Sequence, residues 1–381
     1  MAYFDNAATT FPKPECVYSF MEKFYRTSGG NSGRGIYALA DGAKKMIEET
    51  RNLLGQVLHC VSKQVIFTST ATVALNMIIQ GTIAGGAKNI YISPFEHNAV
   101  TRTLNHFVEA GKIFVAELSV DKEIEFDRAK IRKQFKQRPP DLVIVSHASN
   151  VIGLIAPVEE IFSMAKEFGA TTLVDMSQTA GLAELNVGLE TIDFAVFAGH
   201  KSLFAPTGIA GFVMNPSIKL EPMIFGGTGY DSANQEMPAT LPERLEPGTQ
   251  NIVGIAGLNA ALKWIQAQTP EKLFALEERR RQRLLEILSD YDFLSVVGNS
   301  SGKKYVGIVS CLVEGIPSES AGNIFAERGI AVRAGLQCAP LAHKFLGTFP
   351  AGTVRFSVNC MTTEEDFAAL RTVLEEMKYD L

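Results

Sequence analysis

Short apolar runs rich in β-branched residues recur along the first 214 positions, and amphipathic or turn-forming stretches separate them. The runs fall at 65–67, 89–92, 113–118, 142–146, 172–175, 194–197 and 209–214. They are nearly continuously apolar, without the alternation of a strand that has one wet face, so each is predicted to be covered on both sides. Helical patterns lie between them at 72–83, 98–110 and 158–168. Strands alternating with helices predict an α/β fold around a mostly parallel central sheet.

The pattern breaks at 225–251, a stretch rich in Gly, Pro and polar residues. A long segment with so little regular structure inside a compact domain is usually functional or disordered. A helix-rich region follows at 252–290. An α+β pattern comes next: strands at 306–313, 331–333 and 354–358, and helices at 319–327 and from 363. The reading is a large domain at 15–250 and a smaller one at 251–381, completed by residues 1–14.

Composition narrows the function. The net charge is −5 with no long Lys/Arg run, a poor match to nucleic acid or to an anionic membrane. No apolar run approaches the roughly 18 residues of a membrane span. The N-terminal MAYFDNAATTFPKPE does not follow a signal-peptide pattern. The cysteines (Cys16, Cys60, Cys311, Cys338, Cys360) are odd in number, scattered, and form no CxxC pair. This argues against structural zinc and disulfides and favours a reduced, cytoplasmic setting.

Several candidate residues sit where open α/β sheets place ligands, beyond the carboxyl ends of strands. Lys201, in FAVFAGHK, is either a solvated lysine or an amine made nucleophilic by an apolar pocket. Asp175 ends the strand of LVDMSQ and could be a helix cap, a metal ligand, or the partner of a protonated ring nitrogen. Both end candidate strands and would project toward one crevice. Ser69, Thr70 and Thr72, in FTSTATVALN, offer N-capping or a phosphate cradle, which share one geometry. No GxGxxG and no P-loop follows a strand. His97, in SPFEHNA, is a capping residue or an imidazole for stacking and proton transfer. Cys338, in VRAGLQCAP near Arg333, is a nucleophilic thiol or a buried structural one; the other four cysteines fit the structural reading. Arg355, inside the apolar run TVRFSVN, needs an anion, either a structural acid or a substrate carboxylate. His59, His106, His147 and His343 are read as structural.

Taken together, FDNAATT, the HN after a strand, SN at 149–150, D-x-x-Q at 175–178, GHK at 199–201, EPGTQN at 246–251 and R-x-G-x-x-C-A at 333–339 resemble the class V aminotransferase family, nearly end to end and in order. These are fold type I enzymes of pyridoxal 5′-phosphate, and the chain looks most like the cysteine desulfurase and selenocysteine lyase branch. The resemblance implies that Lys201 would hold the cofactor as a Schiff base and move protons. Asp175 would pair with the ring nitrogen, Gln178 with the ring hydroxyl, and His97 would stack on the ring. Ala71, Thr72 and His200 would bind the phosphate, with Thr249 reaching a second subunit's phosphate in a homodimer. Asn150 and Arg355 would hold the amino-acid substrate, and Ala8 and Arg34 would line its pocket. Cys338 would take sulfur from L-cysteine as a persulfide, releasing L-alanine, and pass it to an acceptor protein. The alternatives are a selenocysteine lyase or another β-lyase or aminotransferase on the same cofactor, and, more remotely, a cofactor-free cysteine-nucleophile enzyme or a binding protein. The chain departs from the pattern at Ala198, where relatives often carry Ser or Thr, and at Gln337, where many have His.

Overall fold

The structure is a computed structural model that describes residues 1–380 apart from 32–34, 36 and 230–232. In chain order come β1 (Ala2–Tyr3), α1 (Glu15–Ser28), α2 (Ala38–Val57), β2 (Gln64–Thr68), α3 (Ala71–Ala84), β3 (Asn89–Ile92), α4 (Asn98–Glu109), β4 (Phe114–Glu117), α5 (Arg128–Gln137), β5 (Leu142–Ser146), α6 (Val158–Lys166), β6 (Thr171–Asp175), β7 (Phe194–Ala198) and β8 (Ala210–Met214). After the irregular stretch come α7 (Ile252–Gln268), α8 (Pro270–Ser289), β9 (Leu294–Val297), β10 (Ile308–Val313), α9 (Ser318–Glu327), β11 (Ile330–Ala331), β12 (Arg333–Gly335), α10 (Pro340–Phe345), β13 (Thr353–Ser357) and α11 (Glu364–Asp380).

The central sheet has the order β2-β8-β7-β6-β5-β3-β4. Only β8 runs against its neighbours β2 and β7; the pairs β7–β6, β6–β5, β5–β3 and β3–β4 are parallel. The continuous apolar runs are explained by burial on both faces. In β5, Val143 and Val145 join one core cluster while Leu142 and Ile144 join another, and in β7 Ala195 and Phe197 oppose Phe194 and Val196. Successive side chains point to opposite faces of a strand, so both sets must be apolar when helices cover both. The first cluster packs against α2, α5, α6 and α7, the second against α3 and α4. β4 differs from expectation: it is the sheet edge, and Phe114 is substantially exposed.

The remaining strands form a four-stranded antiparallel sheet, β12-β13-β10-β9, and a two-stranded parallel pairing of β1 with β11. A third core, with Phe4, Phe325, Phe356 and Phe367, joins these to α8, α9 and α11. The N-terminal strand thus belongs with the C-terminal sheet. Among the described residues, no helix is long and apolar enough to cross a membrane.

Chain direction makes the site. Since β2, β3, β5, β6 and β7 are mutually parallel, their carboxyl ends share one edge. Chain order reverses between β3 and β5, the kind of switch point where such sheets leave a crevice.

Candidate active site

At that edge lies a cavity of about 280 Å³, near the lower end of the roughly 300–1,000 Å³ typical of ligand pockets. Its walls include Ala71 and Thr72 after β2, His97 after β3, Asn150 after β5, Asp175 and Gln178 at the end of β6, and His200 and Lys201 after β7. Residues more than a hundred positions apart are thus gathered by strand endings alone.

Each side chain is held by its local fold. Gly199 sits so close to the start of β8 that a Cβ there would lie 2.5 Å from the Ile209 carbonyl oxygen, so only glycine lets the chain turn directly into His200 and Lys201. Lys201 borders the cavity, yet protein surrounds it otherwise, and this burial brings its pKa down to about 8 against the opposing pull of Asp175. Arg355, Cys338 and Asp5 lie close enough for their charges to act on the same amine. The loop carbonyls are tied back to the N-terminal segment: the Thr10 hydroxyl donates to the Lys201 carbonyl at 2.9 Å and Lys13 donates to that of His200 at 2.9 Å.

Asp175 is buried, and its Oδ1 accepts from the Ser177 amide at 2.9 Å and the Ser177 hydroxyl at 2.5 Å. Among the described residues Oδ2 accepts no hydrogen bond and remains available to a ligand. Ser177 was not singled out from the sequence, although an acid with Ser two positions on is the pattern of a local turn bond. His97 caps α4: its Nδ1 accepts from the Ala99 amide at 3.0 Å. An accepting Nδ1 carries no proton, so the neutral ring carries it on Nε2; burial, then the charge of Lys201, lowers its pKa and favours that neutral form. The capping and cofactor-facing readings of His97 are therefore compatible. Immediately before it, Glu96 is fully buried and accepts from the Ser93 hydroxyl at 2.6 Å and from the Ser146 amide and hydroxyl at 2.6 and 2.8 Å. It ties the end of β5 to the start of α4, and nothing in its local sequence marks that role.

Thr70 caps α3, its side chain accepting from the Val73 amide at 3.2 Å. Thr72 is exposed to the cavity beside it. His200 faces the same end with a buried Nδ1 that has no partner, and burial plus the nearby lysines bring its pKa down to about 4.

Arg355 lies outside the cavity wall, buried in β13. It donates to Asp5 Oδ1 and to the Asn150 carbonyl, each at 2.8 Å, and its Nε is buried without a partner. The structural acid is thus Asp5, 350 residues away, while the Nε–H is left without a partner. Cys338 is exposed, in the turn between β12 and α10, and its carbonyl accepts from the Asn98 amide at 2.7 Å. Asn150 bridges wall and turn, its amide donating to the Gln337 carbonyl at 2.6 Å. Gln178 Nε2 donates to the Ala7 carbonyl at 3.0 Å.

Other sequence candidates fall elsewhere. Ala8 closes a turn onto the Asp5 carbonyl at 3.1 Å and does not line the cavity. Thr249 is exposed and lines a separate groove with Arg51 and Glu246. Arg34 lies outside the described residues. Cys60 and Cys311 are buried and Cys360 is half-buried, but Cys16 is exposed, contrary to the structural reading. It follows Glu15 on α1, a helix whose only fully buried residue is its neighbour Val17, about 100° further around. Among the described residues no cluster of three or more His, Cys, Asp or Glu is placed to hold a metal.

The aminotransferase class-V family pattern matches residues 2–370. A probable cysteine desulfurase of Pyrococcus abyssi is 31% identical, aligned over 98% of this chain and 94% of its own. A probable cysteine desulfurase of Halalkalibacterium halodurans is 30% identical over 99% and 93%. Among solved structures, the apo cysteine desulfurase of Thermococcus onnurineus superposes with a TM-score of 0.90 at 29% identity, covering 100% of this chain and 95% of that one. The chain belongs to the class V aminotransferase family and has the fold type I architecture of its pyridoxal phosphate enzymes.

The residues fit that cofactor. A buried amine, a carboxylate with a free oxygen, a neutral imidazole and, at one end, a helix N-terminus beside the unpartnered His200 Nδ1 meet in one cavity. They match an aldehyde, a ring nitrogen, a ring face and a phosphate.

Proposed function

We propose that this class V family member is a cysteine desulfurase, converting L-cysteine to L-alanine and retaining the sulfur as a persulfide on Cys338. The observation that carries the reading is the joint placement of Lys201, Asp175 and His97 around one cavity, with the Cys338 turn hydrogen-bonded to that cavity's own elements at Asn150 and Asn98.

Bound pyridoxal phosphate supplies an electron-withdrawing ring that lets a proton leave the substrate's α-carbon. Lys201 would hold the cofactor and, once displaced by the substrate amine, serve as the base at that carbon; its lowered pKa favours the neutral amine both tasks need. Asp175 Oδ2 would sustain positive charge on the ring nitrogen, with Gln178 at the ring hydroxyl. Backbone N–H groups at Ala71 and Thr72, with His200, would take the phosphate. Ala198 brings no hydroxyl to that end, so the helix and His200 carry it. The free Arg355 Nε and the Asn150 region would receive the substrate carboxylate. The Cys338 thiolate attacks the substrate sulfur: an S–S bond forms as the Cβ–S bond breaks. The electron pair leaves with the β-carbon, which takes up a proton to become the methyl group of alanine.

The Cys338 turn is short and held at both carbonyls, which supports an acceptor protein approaching the thiol rather than a swinging loop. We read the chain as a cytoplasmic homodimer. Exposed Thr249, and exposed apolar side chains such as Tyr25 and Phe225, support cover by a second copy.

The test combines spectra and product. Added pyridoxal phosphate should give a visible absorption band, absent in Lys201→Ala. L-Cysteine should give equimolar alanine and sulfide in the presence of a thiol reductant. Cys338→Ala should keep the band and lose sulfide release. A protein that never binds the cofactor, or a Cys338→Ala variant with undiminished release, overturns the proposal. Faster turnover of L-selenocysteine, independent of Cys338, assigns the selenocysteine lyase reaction instead.

A further inference from the structure

Two successive non-glycine residues, Gln337 and Cys338, have φ of 40° and 59°. Side chains rarely adopt this left-handed conformation, which persists only where the surroundings enforce it, and it gathers at functional positions. The thiol at 338 is exposed, whereas the side chain at 337 is buried. We infer that Gln337 is a positioning residue for Cys338: its buried amide latches the turn and holds the exposed thiol in one orientation. The inference rests on the desulfurase reading only in taking Cys338 as the attacking thiol.

The amide's orientation follows from its partners. The Thr353 carbonyl only accepts, so Gln337 Nε2 must face it, and does so at 2.9 Å. Oε1 must then accept, from His343 Nε2 at 2.8 Å and the Thr353 hydroxyl at 3.3 Å. His343 therefore carries its proton on Nε2, and its Nδ1 accepts from the Thr348 hydroxyl at 2.7 Å. Burial agrees, pushing His343 down to about 4 and keeping it neutral. The strands below leave no slack. A Cβ on Gly352 would lie 2.1 Å from the Gly335 carbonyl oxygen, so β12 and β13 meet backbone to backbone. Above, the carbonyls of Gln337 and Cys338 are taken by Asn150 and Asn98, the latter next to His97.

The Gln337 side chain turns away into the network, so position 337 supplies geometry and no proton. Held in place, the thiol stays near Lys201 and Arg355, on both of whose charges it acts; released, it moves away from these cations and reacts more slowly.

The experiment uses the cofactor-loaded protein and the variants Gln337→Glu and Gln337→Ala. The Cys338 peptide is followed by mass spectrometry during iodoacetamide alkylation, since Cys16 is also exposed. At neutral pH both variants should alkylate Cys338 several-fold more slowly than the parent. They should also lower kcat for sulfide release on the order of ten- to a hundredfold, with KM for L-cysteine little changed. A protonated Glu has Gln's shape, with one donor and one acceptor. The ratio of Gln337→Glu to parent alkylation should therefore return toward one as pH falls. A ratio of one at every pH, or a depressed ratio that never recovers, overturns the latch; the Glu variant decides this even if the Ala variant does not fold. If the parent releases no sulfide, the desulfurase reading fails while the alkylation ratio still tests the latch.

Discussion

Burial of Lys201 has a measurable kinetic consequence. An unperturbed lysine with a pKa near 10.5 is about 0.03% neutral at pH 7, whereas one titrating at about 8 is about a tenth neutral, a roughly three hundredfold gain in nucleophilic amine. The apoprotein, mixed with pyridoxal phosphate in a stopped-flow instrument between pH 6 and 10, should capture it at a rate that rises about tenfold per unit below pH 8 and flattens above. Dividing by the rate for a free lysine analogue, whose amine keeps rising to about 10.5, removes the reagent's own ionisations and leaves a quotient that is level below pH 8 and falls about tenfold per unit above it. The sign is set by the neutral form being reactive: depressing the pKa moves the plateau to lower pH. Asp175 opposes this shift, so Asp175→Asn should move the midpoint below 8. A quotient that stays level through pH 9.5, or a midpoint unmoved by Asp175→Asn, would refute the reasoning.

Two further outcomes follow from other elements. Arg51 and Glu246 form a buried bidentate pair at 2.9 and 2.7 Å, and Glu246 also accepts from the Phe67 amide at 2.6 Å, so the pair staples the 225–251 stretch to β2. Glu246→Ala leaves the buried Arg51 guanidinium with only the exposed Glu48 as a carboxylate partner and should cost up to about 3–5 kcal/mol in a urea unfolding titration; a loss under about 1 kcal/mol would mean that the pair is dispensable. Thr70→Ala removes the cap of α3 and should cost about 1 kcal/mol of stability, also visible as weaker retention of pyridoxal phosphate on dialysis; unchanged retention would separate the cap from the phosphate end.

The sequence alone determined the central sheet and the residues at its rim. Apolar continuity is local, and it states directly that a strand is covered on both faces. Once the strands are parallel, their carboxyl ends share an edge whatever the loops do, which is why Asp175 and Lys201 could be assigned to one crevice from their positions alone. The tertiary structure decided what depends on contacts distant in sequence. No local pattern announces that Asp5 answers the charge of Arg355, that β1 pairs with β11, or that Glu246 anchors Arg51. Which way Gln337 points was likewise undecided, because a glutamine before a cysteine is compatible with facing the thiol or turning from it. The direction is set by Thr353, His343 and Thr348, which the chain brings together only when β12 closes against β13. Hydrogen-bond partners are chosen by position in space, and that position is a property of the packed molecule rather than of any short stretch of it.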